Sequence, residues 1–443
     1  MYGLPSIGLL IRRRTHTAGP SGAGSIMREV RIEDLREPQR NADEQAFYEF
    51  ALGMKVDLDP DDIVATARNA TGLREFGVAS LLDRLAAQVA ALESDQGLSG
   101  LGRYIVRERL VGLLKARLRF EDFLRRHPEA LEVELEPPII VVGLPRSGTT
   151  HLVNLLAADS RFRSMPWWEV VEPIPVIGDG PGRDGIDPRY QRCQAAHEMM
   201  GSVAPLVALM HDRPPWSIEE DCELVDLDLC SYTLEWHARV PAWRDHYLGL
   251  DQRVHYAFLR RELQVLSYLR GPNRWVLKTP QHLEQIGPLL QAFPDATIAF
   301  TLRDPVAVLQ SALTMLAYGD RVRRVRIEAD DLAAYWVDRV ERLLRAAVRD
   351  AHLIPVEQRV DVEFSDFMAD DLAMATRILG VAGMVATDQA RSELTTYLAG
   401  NPRGREGRVV YDLRGDFGLE PADLHHRFAF YYEAFPQIRT EVH

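Results

Sequence analysis

The sequence predicts an α/β fold: a central parallel sheet flanked by helices, with a helical region ahead of it. Three observations lead to this expectation. Short apolar, β-branched runs at 139–142, 275–277, 297–302 and 360–364 alternate with longer stretches of helical spacing, the pattern of a sheet covered on both faces. The first run enters a glycine-containing loop and leads directly into a helix-type segment from Thr149. Upstream, apolar residues recur at helical spacing.

In chain order, residues 1–26 are rich in Gly, Ser, Arg and Thr and read as a flexible tail. The apolar run from Ile7 to Ile11 is too short for a signal-peptide core, and Arg12, Arg13 and Arg14 lie on its wrong side. No apolar stretch approaches the roughly 18 residues of a membrane-spanning helix, so a cytoplasmic protein without a transmembrane segment is expected. Residues 27–136 read as helical. Asp59-Pro60-Asp61-Asp62 supplies a helix start, with proline in the first turn and acids near the positive dipole end. Leu81, Leu82, Leu85, Val89 and Leu92 follow at helical spacing, as do Ile105, Leu110, Leu113, Leu114, Leu118 and Phe123. Residues 137–443 form the α/β part. Helices are expected there at 282–293, 306–316, 330–351 and 367–379, and an exposed Gly- and Pro-rich loop at 178–188.

Composition narrows the function. Of 443 residues, 46% are hydrophobic and 26% charged, which excludes wholesale disorder. Fifty-two basic against 65 acidic side chains leave a net charge of −13. That balance opposes a nucleic-acid-binding surface but permits local positive charge around a small polyanion. Cys193, Cys222 and Cys230 lack paired spacing, so neither a disulfide framework nor a metal site is expected. Only Lys55, Lys115 and Lys278 are lysines, which makes the location of each informative.

The most informative segment is Gly143-Leu144-Pro145-Arg146-Ser147-Gly148-Thr149-Thr150. Between a strand and a helix, such a loop makes a P-loop-like anion cradle: glycines permit the tight turn, backbone N–H groups point inward, and the helix adds its positive end. Thr149 and Thr150 add hydroxyls. The spacing imitates G-x-x-x-x-G-K-[ST], but Thr149 stands where that pattern requires lysine, and the cation sits inside the loop at Arg146. A P-loop kinase or nucleotide hydrolase is therefore disfavoured. A simple Gly-Thr-Thr helix cap does not account for Arg146.

Pro145-Arg146-Ser147-Gly148-Thr149-Thr150 resembles the 5′-phosphosulfate-binding loop of sulfotransferases that use 3′-phosphoadenosine 5′-phosphosulfate (PAPS). Its arginine form is similar to protein-tyrosine sulfotransferases and to a bacterial, notably actinobacterial, group; cytosolic members usually carry lysine at that place. Arg303-Asp304-Pro305 follows a predicted strand, and Ser311 lies eight residues beyond Arg303. In the family such a pair grips the cofactor's 3′-phosphate. Eight positions are just over two helical turns, so Ser311 can face the strand end, and the arginine fork suits phosphate oxygens. Taken alone, Arg303 is equally an ion-pair partner and Ser311 a helix filler.

Trp275-Val276-Leu277-Lys278-Thr279-Pro280-Gln281-His282 is similar to the bacterial group's W-x-L-K-[ST]-P-x-H-L signature. There the lysine lies beside the transferring sulfuryl group, at the sheet edge where open α/β proteins bind ligands. An exposed strand-end lysine is the bland alternative. Asn401-Pro402-Arg403-Gly404-Arg405-Glu406-Gly407 is similar to the basic loop that closes over the 3′-phosphate, which would give Arg405 to the cofactor; a flexible glycine-rich loop is the alternative. Residues 411–419, with Asp416-Phe417-Gly418-Leu419, resemble the same group's C-terminal pattern. The resemblance spans residue 59 to the end and implies a sulfotransferase-type domain at 137–443.

The implied reaction is in-line sulfuryl transfer from PAPS to an acceptor hydroxyl, less readily an amine, releasing adenosine 3′,5′-bisphosphate. Arg146, Lys278, Thr149 and loop N–H groups would meet the charge on the departing bridging oxygen. Two residues are candidates for the general base. Glu169, in Trp167-Trp168-Glu169, follows Arg146 by twenty-three positions, close to the distance at which tyrosine sulfotransferases place their catalytic glutamate. The tryptophans would desolvate its carboxylate and strengthen it as a base; an ion pair with arginine is the alternative. His211, in Leu209-Met210-His211, matches a Met-His of the bacterial group and suits neutral pH, against a structural role on an apolar helix. Glu169 ranks first. Glu219-Glu220-Asp221 reads as a helix N-terminus, with substrate contact second. The tryptophans and apolar residues of 167–272 suit a small-molecule, glycolipid, sterol-like or phenolic acceptor, and a homo-oligomer stays open. The remaining rival is a non-catalytic protein retaining the fold.

Overall fold

The computed structural model describes residues 29–40, 42–180, 185–203, 206, 210, 213–403 and 407–442. The tail expected at 1–26 lies outside them. A strand β1 (Glu29–Arg31) opens the described chain. The main sheet consists of β2 (Glu136–Val142), β3 (Arg274–Lys278), β4 (Thr297–Leu302) and β5 (Arg359–Glu363), all parallel, in the order β3-β2-β4-β5. β2 and β4 are central, and all of β4 and the last five residues of β2 are buried. That is why both read as unbroken apolar runs. β5 lies at an edge and alternates, with Val360 and Val362 inward and Arg359, Asp361 and Glu363 half-buried.

Ile140, Val142, Leu277, Ile298, Phe300 and Leu302 pack one sheet face onto the helices Pro305–Arg323 and Ala329–Asp350. Ile139, Val141, Val276, Ala299, Val360 and Val362 face the helices Thr149–Ala157 and Asp371–Val381. The parallel, two-sided α/β arrangement expected from the sequence is present.

Two expected helices are broken. The segment 282–293 is a single 3-10 turn, Pro280–Glu284, followed by the helix Ile286–Ala292; Gln285 between them leaves helical backbone at φ −132°. The segment 367–379 divides at Asp370, which ends the helix Phe364–Ala369. Its carboxylate accepts from the Ala373 N–H and so starts the next helix.

Ahead of the sheet lie the helices Ala42–Gly53, Pro60–Thr71, Ser80–Ser94 and Gly100–Arg126. Asp59 caps the second by accepting from the Asp61 N–H, with Pro60, Asp61 and Asp62 in its first turn. Leu81, Leu85, Val89, Leu92, Leu110, Leu114 and Leu118 bury against Tyr232, Trp243 and Tyr247, whereas Leu82 is exposed. β1 pairs in parallel with β6 (Arg408–Val410). Three residues are too few for a readable pattern, so the sequence did not show this pairing. Arg31 binds Asp416 bidentately at 2.8 and 2.7 Å, which ties the start of the described chain to the C-terminal segment that frames the site. Among the described residues, no helix is long and apolar enough to cross a membrane.

Candidate active site

The site begins where β2 ends. At Gly143 the chain passes so close to β4 that a Cβ would lie 1.8 Å from Thr301 Oγ1, so only glycine fits. Pro145 is buried in the turn that follows. Ser147 Oγ lies 2.8 Å from the same Thr301 hydroxyl and donates to the Leu144 carbonyl at 2.6 Å, which fixes the loop to the sheet. Arg146 stands at φ 64°, a left-handed conformation that costs a side-chain-bearing residue about 1–2 kcal/mol. Strain of this kind persists where the surroundings over-determine it, commonly at ligand clamps. Gly148 follows at φ 84° and opens the helix Thr149–Ala157 without a side-chain cap. The first N–H groups of that helix have no acceptor within it. Loop and helix start therefore present donors and the positive dipole end to an anion.

The two motifs that resemble a cofactor grip meet at this loop. Arg146 Nε donates to Ser311 Oγ at 2.9 Å, and its guanidinium also donates to the Met210 carbonyl at 2.7 Å. Arg303 donates to the Arg146 carbonyl at 2.6 Å and bidentately to the Glu441 carboxylate at 2.9 and 2.7 Å. Its guanidinium lies 3.7 Å above the Phe364 ring. Ser311 Oγ donates to the Tyr411 hydroxyl at 2.9 Å, a partner that sequence reasoning did not single out. Asp304, fully buried, caps the helix Pro305–Arg323 through the Val306 N–H and accepts from the Tyr432 hydroxyl and the Glu441 N–H. It thereby holds the C-terminal segment against Arg303. A cavity of about 340 Å³ adjoins this point, lined in part by Arg303, Phe364, Met368, Ile438 and Glu441.

Lys278 closes the other side. It is the last residue of edge strand β3, and its side chain is only 2% exposed. Its Nζ lies 2.6 Å from Glu220 Oε1 and 3.4 Å from Thr150 Oγ1. Ammonium, carboxylate and loop hydroxyl thus converge at one place. Glu220 Oε2 is approached more loosely, by Thr279 Oγ1 at 3.4 Å and by Cys222 Sγ and the Tyr232 hydroxyl at 3.5 Å. Burial and the nearby Glu220 push both the Cys222 thiol and the Tyr232 phenol well above their ordinary values, so both remain protonated donors. The acidic triplet does precede a short helix, Cys222–Val225, but each acid also has its own cation or donor. Glu219 is held bidentately by Arg213 at 2.8 Å.

Glu169, expected as a base, has different partners from those of Lys278. Its carboxylate is buried between Arg163 at 2.7 Å and Arg270 at 2.9 Å. Arg163 is in turn bonded through its backbone to Arg274 and Val276 of β3. Arg274 begins β3 and Lys278 ends it, about 13 Å apart at the usual strand rise. Beyond Arg163 the chain meets the 215–219 segment: the Glu219 N–H donates to the Met165 carbonyl and the Trp167 N–H to the Ser217 carbonyl, both at 2.9 Å. His211 and Arg405 lie outside the described residues.

Residues 137–388 match the family model described as the sulfotransferase family. The chain is 23% identical over 282 residues to the omega-hydroxy-beta-dihydromenaquinone-9 sulfotransferase Stf3 of Mycobacterium bovis and of Mycobacterium tuberculosis, covering 60% of this chain and 67% of that protein. Sulfotransferase STF1 from Mycobacterium tuberculosis H37Rv has a similar crystal structure, with a TM-score of 0.75 and 28% identity over 85% of this chain and 100% of that one. Sulfotransferase STF9 from Mycobacterium avium shares the fold, with a TM-score of 0.77 and 24% identity over 86% of this chain and 98% of that one.

Proposed function

The chain belongs to the sulfotransferase family, and from that premise we propose that it moves a sulfuryl group from PAPS to the hydroxyl of a lipid-like acceptor, with Lys278 and Arg146 meeting the developing charge and Glu220 taking the proton. The observation that carries this reading is the meeting of Lys278 Nζ, Glu220 Oε1 and Thr150 Oγ1 beside the loop.

The donor's fit is supported by a stand-in: the Glu441 carboxylate sits in the Arg303 fork in the bidentate manner of a phosphate. Arg303 and Ser311 would hold the 3′-phosphate. Pro145 to Thr150 would hold the 5′ end, through backbone N–H groups, the Ser147, Thr149 and Thr150 segment and the Arg146 guanidinium. Once bound, PAPS supplies an activated sulfuryl group. Arg146 and Lys278 are fixed cations that need little rearrangement to stabilise charge on the departing oxygen. Glu220 lies at the sheet edge with its side chain 24% exposed, accessible to an acceptor hydroxyl. The lipid-like acceptor rests on the named substrate of the Stf3 relatives and on the apolar, tryptophan-bearing segment 167–272.

Thermal unfolding with adenosine 3′,5′-bisphosphate against ATP plus magnesium tests the donor assignment. The bisphosphate at a hundred times its Kd should stabilise the fold by about 2.7 kcal/mol, with no comparable shift from ATP. The reverse result would move the protein to nucleoside triphosphates.

The stand-in yields a second expectation. A 3′-phosphate can enter the Arg303 fork only when Glu441 leaves it. The two side chains are 19% and 32% exposed, so their pair is weak. Glu441→Gln should therefore tighten adenosine 3′,5′-bisphosphate binding by about two- to five-fold, read by calorimetry. Weaker binding in the variant would mean that Glu441 orients Arg303 for the phosphate instead of competing with it.

A further inference from the structure

We infer that Asp221 and His282 form a buried positioning pair that sets Lys278 and Glu220 in register with the phosphate-binding loop; the inference rests on the reading of Lys278 and Glu220 given above. β3 is the edge of the main sheet, so backbone groups on its outer side have no strand to pair with. Two other pieces of chain satisfy them. Near the start of β3, the Arg163 N–H donates to the Arg274 carbonyl at 2.6 Å, and the Arg163 carbonyl accepts from the Val276 N–H at 3.0 Å. At its end, Asp221 brackets Lys278. Its Oδ1 accepts from the Lys278 N–H at 2.9 Å, and its own N–H donates to the Lys278 carbonyl at 3.3 Å. Asp221 thus fixes the backbone from which the lysine springs. Its chain neighbour is Glu220, so one anchor sets both partners of the 2.6 Å ion pair.

The other oxygen of Asp221 needs a partner, and the turn after β3 supplies it. Pro280 starts a 3-10 turn, Pro280–Glu284, which Thr279 caps. The turn brings the residue four positions after Lys278 back against Asp221. His282 Nε2 lies 2.9 Å from Asp221 Oδ2, and both side chains are fully enclosed. Neither atom has a hydrogen-bond partner among the described residues, so the close approach of the two is the one polar contact each of these buried atoms has to draw on. On the far side of the ring, Nδ1 lies 2.8 Å from the Tyr256 hydroxyl, a phenol that burial pushes well above its ordinary value and keeps protonated. With the Tyr256 hydroxyl donating to Nδ1, the N–H of the ring falls on Nε2, facing Asp221 Oδ2. This accounts for a histidine in the segment after Lys278 that has no contact with the reacting groups. Enclosed in this way, the pair acts through Lys278 and Glu220.

The test compares His282→Leu, which removes the donor, with His282→Gln, whose amide reproduces an N–H near the position of Nε2. In the full chain, His282→Leu should lower kcat by about 10- to 100-fold, the scale of a catalytic group misplaced by an ångström. KM for the donor and Kd for adenosine 3′,5′-bisphosphate should stay near wild type, and amide exchange should accelerate locally at Lys278 and at 219–222. His282→Gln should recover most of kcat and the local protection. Tyr256→Phe removes one hydroxyl without emptying the core and should lower kcat several-fold at unchanged KM. Wild-type kcat in both His282→Leu and Tyr256→Phe would overturn the inference, as would equal losses in the leucine and glutamine variants accompanied by weakened nucleotide binding. A wild-type protein without any sulfuryl transfer would defeat the proposed function instead; unchanged exchange at Lys278 in His282→Leu would then still overturn the positioning pair on its own.

Discussion

Lys278→Met leaves the chain folded and lowers sulfuryl transfer by about 10²- to 10³-fold, measured as kcat with labelled donor. Methionine keeps the length and apolar character of the stem, which suits a side chain only 2% exposed. What it removes is the ammonium between Glu220 Oε1 and Thr150 Oγ1. Glu220 loses its cation, but with a quarter of its side chain open it can be rehydrated, so the change in melting temperature stays small. The loss should fall on kcat, because on the proposed reading Arg303 and the loop would still hold the nucleotide. Turnover near wild type would remove Lys278 from the chemistry.

The second large effect separates two glutamates. Glu220→Gln should lower kcat by about 10²- to 10⁴-fold, the usual range for a lost general base, while adenosine 3′,5′-bisphosphate binds as before. Glu169→Gln should instead act on stability. Its carboxylate is held by Arg163, fully buried, and by the exposed Arg270, and breaking the first pair leaves a buried cation uncompensated, at a cost of about 3–5 kcal/mol. Denaturant unfolding would read that loss, and the folded fraction should retain its turnover. His211→Gln completes the comparison with a smaller loss of kcat than Glu220→Gln. The opposite ranking would transfer the role of base to the histidine.

The difference between the two glutamates shows what the sequence could and could not reveal. Features within one short segment were legible: the strand–loop–helix at 139–157, the arginine inside the loop, Arg303 with Ser311, and Lys278 at a strand end. The central strands were legible too, because burial on both faces leaves an unbroken apolar run. Contacts between distant segments were not. Glu220 meets Lys278 across fifty-eight positions, and nothing local distinguishes it from Glu219 or Asp221 on either side. Tyr411 reaches Ser311, and Glu441 reaches Arg303, across one hundred or more. The surroundings of Glu169 were equally out of reach. Its tryptophans and its distance from Arg146 are local facts, whereas its pairing with Arg270, across one hundred and one positions, belongs to the fold. The His282–Asp221 contact joins both kinds: the histidine is visible in a motif, and its partner only in the fold.

One measurement bears most directly on the claim that a single nucleotide spans the loop and Arg303. The affinities of adenosine 3′,5′-bisphosphate and adenosine 5′-monophosphate are determined by calorimetry on the wild type and on Arg303→Met. The expected result is one site per chain in the wild type, with the bisphosphate bound at least about ten-fold more tightly, and that advantage lost in the variant. Equal affinities in the wild type, or an advantage that survives the loss of Arg303, would contradict the claim.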